Sequence, residues 1–177
     1  MAKKSAHSPP PDGIGTEHIE PRLMHRRPGI LSLVTLGVLV AIGLSGYAGG
    51  GSVEHEVRNA AGTFVLRAPE IIRNGEVLET RMRVVAQRPI DKLVIGVAPA
   101  LWREVTTNST VPQAGEESFR DGLFRFSFDK VEAGGAFELQ IVQQINPGLW
   151  GTNRGRVVFL DGDTVLAEMP VAMRVLP

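Results

Sequence analysis

Residue types that carry out catalysis are sparse in this 177-residue sequence, which has four histidines and no cysteine. His55 is the one histidine after residue 25, so a Ser-His-Asp triad in the C-terminal region would have to use it. It follows a glycine-rich stretch, where no neighbour is expected to orient its ring. Transition-metal sites need clustered Cys, His or carboxylate ligands, and the sequence contains no such cluster. We therefore predict a non-enzymatic protein without catalytic residues, metal or cofactor.

Two acidic stretches have a possible chemical use. Asp161 and Asp163, with Glu168 nearby, could offer oxygen ligands to calcium, but the Asp-Gly-Asp sequence around Gly162 is more typical of a tight turn. Glu116 and Glu117 could form an acid/base pair for glycoside hydrolysis, but their surroundings, "PQAGEESFRDG", favour a solvated polar loop. We interpret the first stretch as a turn and the second as a loop.

Two tryptophans are the best candidates for binding. Trp102 lies in "APALWREVTTNSTVP" and Trp150 in "INPGLWGTNRG", two segments that lack regular alternation. Loops on a rigid scaffold often carry binding residues. An exposed indole beside Asn and Arg can stack on a sugar ring or anchor a protein partner. The candidate set is therefore Trp102, Trp150, Asn146, Asn153 and Arg154; the alternative is that each tryptophan closes one end of the hydrophobic core.

Residues 29–48 form an apolar block, "GILSLVTLGVLVAIGLSGYA", of twenty residues without a charge. About 20 apolar residues suffice to cross a hydrocarbon core, so we predict a transmembrane helix that places these residues in the lipid bilayer. Three arginines precede the block closely, whereas the first charge after it is Glu54. The positive-inside rule then places the N-terminus in the cytoplasm and the C-terminal region outside the inner (plasma) membrane.

Three other interpretations of this block remain open. Gly46-Tyr47-Ala48 offers the small residues of a signal-peptidase site, so the block could be a cleaved signal peptide. Arg26-Arg27 could belong to a twin-arginine export signal, although Pro28 and Gly29 stand where a hydrophobic residue is usual. A buried core helix of this length would normally carry a polar face. We favour a single-pass anchor, preceded by a disordered cytoplasmic tail (1–28) and followed by a flexible linker (49–59).

The rest of the chain, residues 60–177, alternates apolar and polar residues with the period of two that is typical of half-buried strands. The clearest series is Phe124, Phe126 and Phe128, interleaved with polar residues. Gly- and Asn-containing turns separate the series, and Asp161-Gly162 between "RVVFL" and "TVLAE" predicts a hairpin. The region from residue 52 onward has 14 Lys+Arg and 16 Asp+Glu, so no basic surface for nucleic acid is expected. We predict an all-β fold, an antiparallel β-sandwich of about seven to eight strands.

Two of these stretches resemble bacterial surface immunoglobulin-like domains: "PEIIRNGEVLETRMRVVA" (69–86) and "FSFDKVEAGGAFELQIVQQI" (126–145). In that family a Gly-containing turn opens a long strand, and a later Ala-Gly turn leads into an alternating strand. The resemblance covers most of residues 60–177. It implies an immunoglobulin-like fold and a role in adhesion or as an accessory module, and it implies no catalytic residues. We therefore expect an accessory component of a bacterial envelope complex with a membrane or envelope protein as partner; the alternative is a module that binds glycan or cell wall.

Overall fold

The structure is a computed structural model, and it describes residues 29–45 and 51–177. The first range holds helix α1, Ile30–Leu44, which has no charged residue and no buried one. The hydroxyls of Thr35 and Ser45 donate to backbone carbonyls one turn earlier, at Leu31 and Ile42. Among the described residues, no helix combines the length and the apolar character that crossing a bilayer requires. The predicted tail and residues 46–50, which belong to the predicted membrane segment and linker, lie outside the described residues.

The second range forms two β-sheets, as the alternation predicts. Sheet 1 has the strand order β1-β2-β4-β9-β6, with the bounds β1 Ser52–Asn59, β2 Gly62–Pro69, β4 Val77–Ala86, β9 Ala136–Ile145 and β6 Val105–Val111. Sheet 2 has the order β3-β11-β10-β5-β8-β7, with the bounds β3 Ile71–Arg73, β11 Thr164–Leu176, β10 Gly151–Asp161, β5 Leu93–Val97, β8 Leu123–Ser127 and β7 Glu116–Arg120. A single turn of 3₁₀ helix, Pro99–Trp102, follows β5.

The core lies between the two sheets, and the strands with one buried face turn alternate residues toward it. In β4 the buried positions are Leu78, Thr80, Met82, Val84 and Ala86, every second residue. Aromatic rings join the sheets: Phe64 of β2 and Phe159 of β10 lie 5.3 Å apart between ring centroids. This packing confirms the prediction of an all-β fold with two sheets around one core.

The described residues contain eleven strands, more than the alternation predicts. β1 occupies residues expected to be linker, and its Asn59 side chain is fixed by donating to the Leu166 carbonyl at 2.7 Å. β7 covers the glutamate stretch expected to be a loop; every residue of it is exposed, so it carries no burial pattern. β3 has three residues and pairs with β11 in parallel, an exception to the antiparallel prediction. These strands were not predictable from periodicity because they are short or lie at sheet edges.

The predicted turn at Asp161-Gly162-Asp163 joins β10 to β11 and forms a hairpin. A second two-residue turn, Asp121-Gly122, joins β7 to β8 with φ angles of 54° and 73°. Positive φ at both central residues defines the type I′ turn, which matches the twist of a β-hairpin.

Candidate functional site

The loop before β10 places Trp150 at the surface while its neighbour Leu149 enters the core. Leu149 is buried with Ile145, Met173 and others in a small cluster, and its N–H donates to the Asn146 carbonyl at 3.0 Å. Asn74 donates a side-chain hydrogen bond to the Pro147 carbonyl on the far side of the loop. Leu149 is thus fixed in the core, and Trp150, the next residue, lies outside it. Its side chain is 76% exposed.

Trp150 lines a groove of about 730 Å³ along the outer face of sheet 2. Strand register explains the lining, since Thr152 lies opposite Arg174, Arg154 opposite Ala172, and Arg174 opposite Ile71 of β3. Residues that are paired across strands share one face of a sheet, so the small Ala172 leaves space between larger neighbours. The groove is lined by Glu70, Ile71, Trp150, Gly151, Thr152, Arg154, Ala172, Arg174, Val175, Leu176 and Pro177.

Charge in the groove comes from Arg154, Arg174 and Glu70. Within the described part of the chain the guanidinium of Arg154 forms no hydrogen bond or ion pair, and the residue is exposed. His55 Nε2 lies 3.5 Å from the Glu70 carboxylate, but within the described residues this nitrogen has no hydrogen-bond partner. The groove thus combines a flat aromatic surface with a guanidinium whose donors are available. This arrangement can bind an aromatic ring or a sugar face together with a carboxylate or carbonyl oxygen.

Trp102 lies elsewhere, at the mouth between the two sheets. Its indole stacks on Phe124, with centroids 6.2 Å apart and planes at 20°, and contacts Phe126 at 5.5 Å. It is half-buried, packs against the main core, and lines a small cavity of about 30 Å³ with Gln143 and Val105. This position matches the alternative in which a tryptophan closes an end of the core.

The two asparagines of the candidate set have structural partners. Asn153 points inward from β10 and is 2% exposed; its Nδ2 donates to the carbonyls of Arg103 at 2.9 Å and Leu101 at 3.3 Å. Asn146 accepts from the Thr106 hydroxyl at 3.0 Å and is half-buried. Of the five candidate residues, the structure brings Trp150 and Arg154 together in one groove and places the other three outside it. Binding by any of them remains a prediction.

Ile71, Ala172 and Arg174 line the groove but were not among the binding residues predicted from the sequence. For Ala172 and Arg174 a signal existed in the alternation of β11, because Val171, Met173 and Val175 are apolar and buried and the residues between them point outward. For Ile71 no local signal existed, since its place depends on parallel pairing with a strand a hundred residues later in the chain.

Titratable groups cluster at the other end of sheet 2. Arg125, 7% exposed, donates to the Asp163 carboxylate at 2.8 Å, and Arg120 lies 3.4 Å from the same carboxylate. The hydrogen bond from Arg125 and the positive charge of Arg120 hold the pKa of Asp163 below its ordinary value. Asp163, considered above as a calcium ligand, is thus an ion-pair partner of arginine. Among residues 29–45 and 51–177 no three His, Cys or acidic residues are grouped so as to hold a metal.

No protein-family model matches the chain, and no curated protein matches it. Among solved structures, it is similar to the CARDB domain of a Pyrococcus furiosus protein, with 10% identity, a TM-score of 0.40, and coverage of 67% of this chain and 97% of that one. It is also similar to a non-cellulosomal cohesin from Archaeoglobus fulgidus, with 8% identity, a TM-score of 0.40, and coverage of 72% and 93%. A PapD-like domain of human CEP192 has 11% identity, a TM-score of 0.31, and coverage of 70% and 90%.

Proposed function

We propose that the β-sandwich is a non-catalytic, immunoglobulin-like interaction domain that binds a membrane or envelope protein through the Trp150 groove. The exposure of Trp150 in a groove that also presents Arg154 carries this proposal, because a partner that covers the indole would bury its apolar area. Tryptophan and arginine are also the residues most enriched among those that dominate protein interfaces. Trp150 would supply the apolar anchor, and Arg154 would supply donors for an acceptor on the partner.

In this proposal residues 29–48 anchor the domain in the inner membrane, with the N-terminus in the cytoplasm and the sandwich outside. Support comes from the uncharged twenty-residue block and the arginines before it. The hydroxyls of Thr35 and Ser45 already bond to the helix backbone, which suits an environment without water. Alkaline washing of membranes should leave the full-length chain in the pellet. A soluble chain that begins after Ala48 would instead identify a cleaved signal peptide.

The partner is tested by site-specific photo-cross-linking in intact cells. A benzoylphenylalanine at position 150 should capture one defined envelope protein, whereas the same probe at Val165 should not. Val165 is the matched control because it is also exposed, at 56%, and lies on the same sheet near the opposite end of β11. Arg154→Glu should reduce capture at position 150. Equal capture from both positions, or capture unaffected by Arg154→Glu, would remove the groove as the interface.

Glycan binding is the second candidate, favoured by a flat indole and an unpaired guanidinium in one groove. Sugar rings present a C–H face that stacks on indole and hydroxyls that accept from guanidinium. Envelope polysaccharide should then change the tryptophan fluorescence of the wild type, and Trp150→Ala should abolish the change. Trp102 remains as the internal reference in that variant. An unchanged spectrum with the wild type excludes this candidate.

A further inference from the structure

β7 is an open edge of sheet 2. Within the described residues it pairs with β8 on one side and with no strand on the other, and each of its five residues is exposed. Such an edge presents unpaired N–H and C=O groups that can receive another strand. Apolar surface adjoins this edge. Phe119 is 63% exposed, its ring centroid lies 5.4 Å from that of Phe124, and Phe124 in turn stacks on Trp102. A strand that paired with β7 would cover both the open edge and the exposed ring of Phe119.

The turn geometry decides which backbone groups face outward. In a two-residue type I′ hairpin the closing pair, here Arg120 and Leu123, exchanges both backbone hydrogen bonds. Bonded and non-bonded pairs then alternate, so Ser118 and Glu116 also direct their N–H and C=O groups toward β8. Glu117 and Phe119 therefore direct theirs away from the sheet. Two residues of β7 are available to bond to an incoming strand.

We propose that β7 pairs antiparallel with β7 of a second copy of this chain, about a two-fold axis at Ser118. In this register Glu117 lies opposite Phe119 of the second copy. The outward-facing backbone N–H and C=O groups of these two residues then bond to each other. Glu116 lies opposite Arg120 of the second copy, and the two-fold axis repeats this cross-strand ion pair. The strand is thus complementary to itself in both hydrogen bonding and charge.

Neighbouring registers lose this complementarity. A shift that centres the pairing on Glu117 sets Glu116 opposite Ser118, and one centred on Phe119 sets Arg120 opposite Ser118. Glu116 now bonds to Lys92 at 3.0 Å, and Arg120 lies 3.4 Å from Asp163. Both pairs are exposed and so contribute little, which leaves Glu116 and Arg120 free to exchange partners.

Two other edges of the sandwich suit self-pairing less well. β6 has a register irregularity between Thr107 and Ser109, and bulges of this kind interrupt an edge. In β1, the register that sets Glu54 opposite Arg58 also sets Glu56 opposite itself, a repulsive pair. Of β1, β6 and β7, the last is the edge at which charge and backbone pattern agree. A five-residue ladder buries less area than a standard interface, so the association is weak and is best detected covalently.

The absence of cysteine from the sequence allows a direct test by disulfide trapping in the full chain in its native membranes. Ser118→Cys places two thiols at the axis, in a non-hydrogen-bonded pair with Cα atoms about 4.5 Å apart, within the range of a disulfide. Mild oxidation should yield a disulfide-linked dimer of this chain. Ser109→Cys, on the exposed edge of β6, is the matched control and should stay monomeric. No dimer with Ser118→Cys, or equal dimer with the control, overturns the proposal.

Charge exchange tests the register independently of the cross-link. In the Ser118→Cys background, Glu116→Arg or Arg120→Glu should lower the trapped fraction about tenfold, because two pairs become repulsive. Combining both substitutions should restore trapping. A double variant that stays monomeric, while its protease resistance equals that of the parent, refutes the register. The Trp150 groove lies at the opposite side of sheet 2, so capture of its partner should be unaffected, and the two proposals can fail separately.

Discussion

Asn153→Ala tests whether the asparagine next to the candidate groove stabilises the fold. Its side chain is almost fully buried and joins β10 to the segment after the 3₁₀ helix. The alanine variant loses two bonds to the carbonyls of Leu101 and Arg103 and one bond that Arg103 donates to Oδ1 at 3.2 Å. The variant should therefore be less stable, although no apolar side chain of the core is altered.

The expected loss can be estimated bond by bond. The bond to the Arg103 carbonyl, at 2.9 Å, has ordinary geometry and contributes about 1 kcal/mol, and the longer one to Leu101, at 3.3 Å, about 0.5 kcal/mol. The bond from the Arg103 guanidinium contributes about 1 kcal/mol, since Arg103 is exposed and partly hydrated. The free energy of unfolding should fall by about 2–3 kcal/mol. At about 3 °C per kcal/mol for a domain of this size, Tm should fall by about 6–9 °C.

Urea unfolding followed by tryptophan fluorescence measures this change, because Trp102 lies beside the lost bonds. The control is Thr152→Ala, one residue earlier in β10 and exposed, which should change stability by less than about 0.5 kcal/mol. If Asn153→Ala lies within about 0.5 kcal/mol of the wild type, the three bonds do not stabilise the fold. Asn153 would then have no structural role in stability, and binding would again be the leading hypothesis for this residue.

Two further predictions concern backbone packing and pH. A Cβ on Gly62 would lie 2.4 Å from the Val85 carbonyl oxygen, so Gly62→Ala should lower the free energy of unfolding by about 1–3 kcal/mol. Gly148 has open space around it, so Gly148→Ala should leave the stability unchanged. Comparison of the urea midpoints of the two variants checks this. Because the pKa of Asp163 is lowered in the fold, its stabilising contribution is present above its unfolded pKa of about 3.9 and is lost as pH falls through the folded value. Asp163→Asn should therefore be less stable at neutral pH and show a shallower loss of stability below about pH 4. If Tm of the variant falls with acid pH as steeply as Tm of the wild type, the lowered pKa of Asp163 is not a cause of the acid destabilisation.

Periodicity predicted the sheets well wherever a strand has one buried face. The alternate burial in β4, from Leu78 to Ala86, and the hairpin at Asp161-Gly162 follow from residue type and turn chemistry alone. β7 escaped prediction because an edge strand with both faces in water has no alternation to detect. The segment "INPGLWGTNRG", which lacks regular alternation, is only partly a loop. β10 begins at Gly151, and its first residues are polar.

The start of β10 shows which physical information the sequence did not carry. Gly155 looks like a loop residue, yet a Cβ there would lie 3.0 Å from Leu101 Cβ and 3.1 Å from Ala98 Cβ. The strand contains a glycine because the 3₁₀ helix packs directly against it. Asn153 is polar because it bonds to carbonyls of the same segment. Both residue types are set by a contact between segments fifty residues apart, and a local pattern cannot reveal such a contact.

The outer face of sheet 2 is closed in its middle region. There, Val94, Leu123, Val158 and Leu160 form an apolar cluster on that face, and all four are buried. Arg125 lies on the same face opposite Gly96, and its buried side chain is held over the sheet by Asp163. This middle region already has its cover, so a partner would gain little apolar burial there. The uncovered aromatic residues are Trp150, on this outer face, and Phe119, which lies at the β7 edge opposite Phe124 on the inner face of the sheet. The two interfaces proposed above therefore do not overlap, and occupation of one leaves the other accessible.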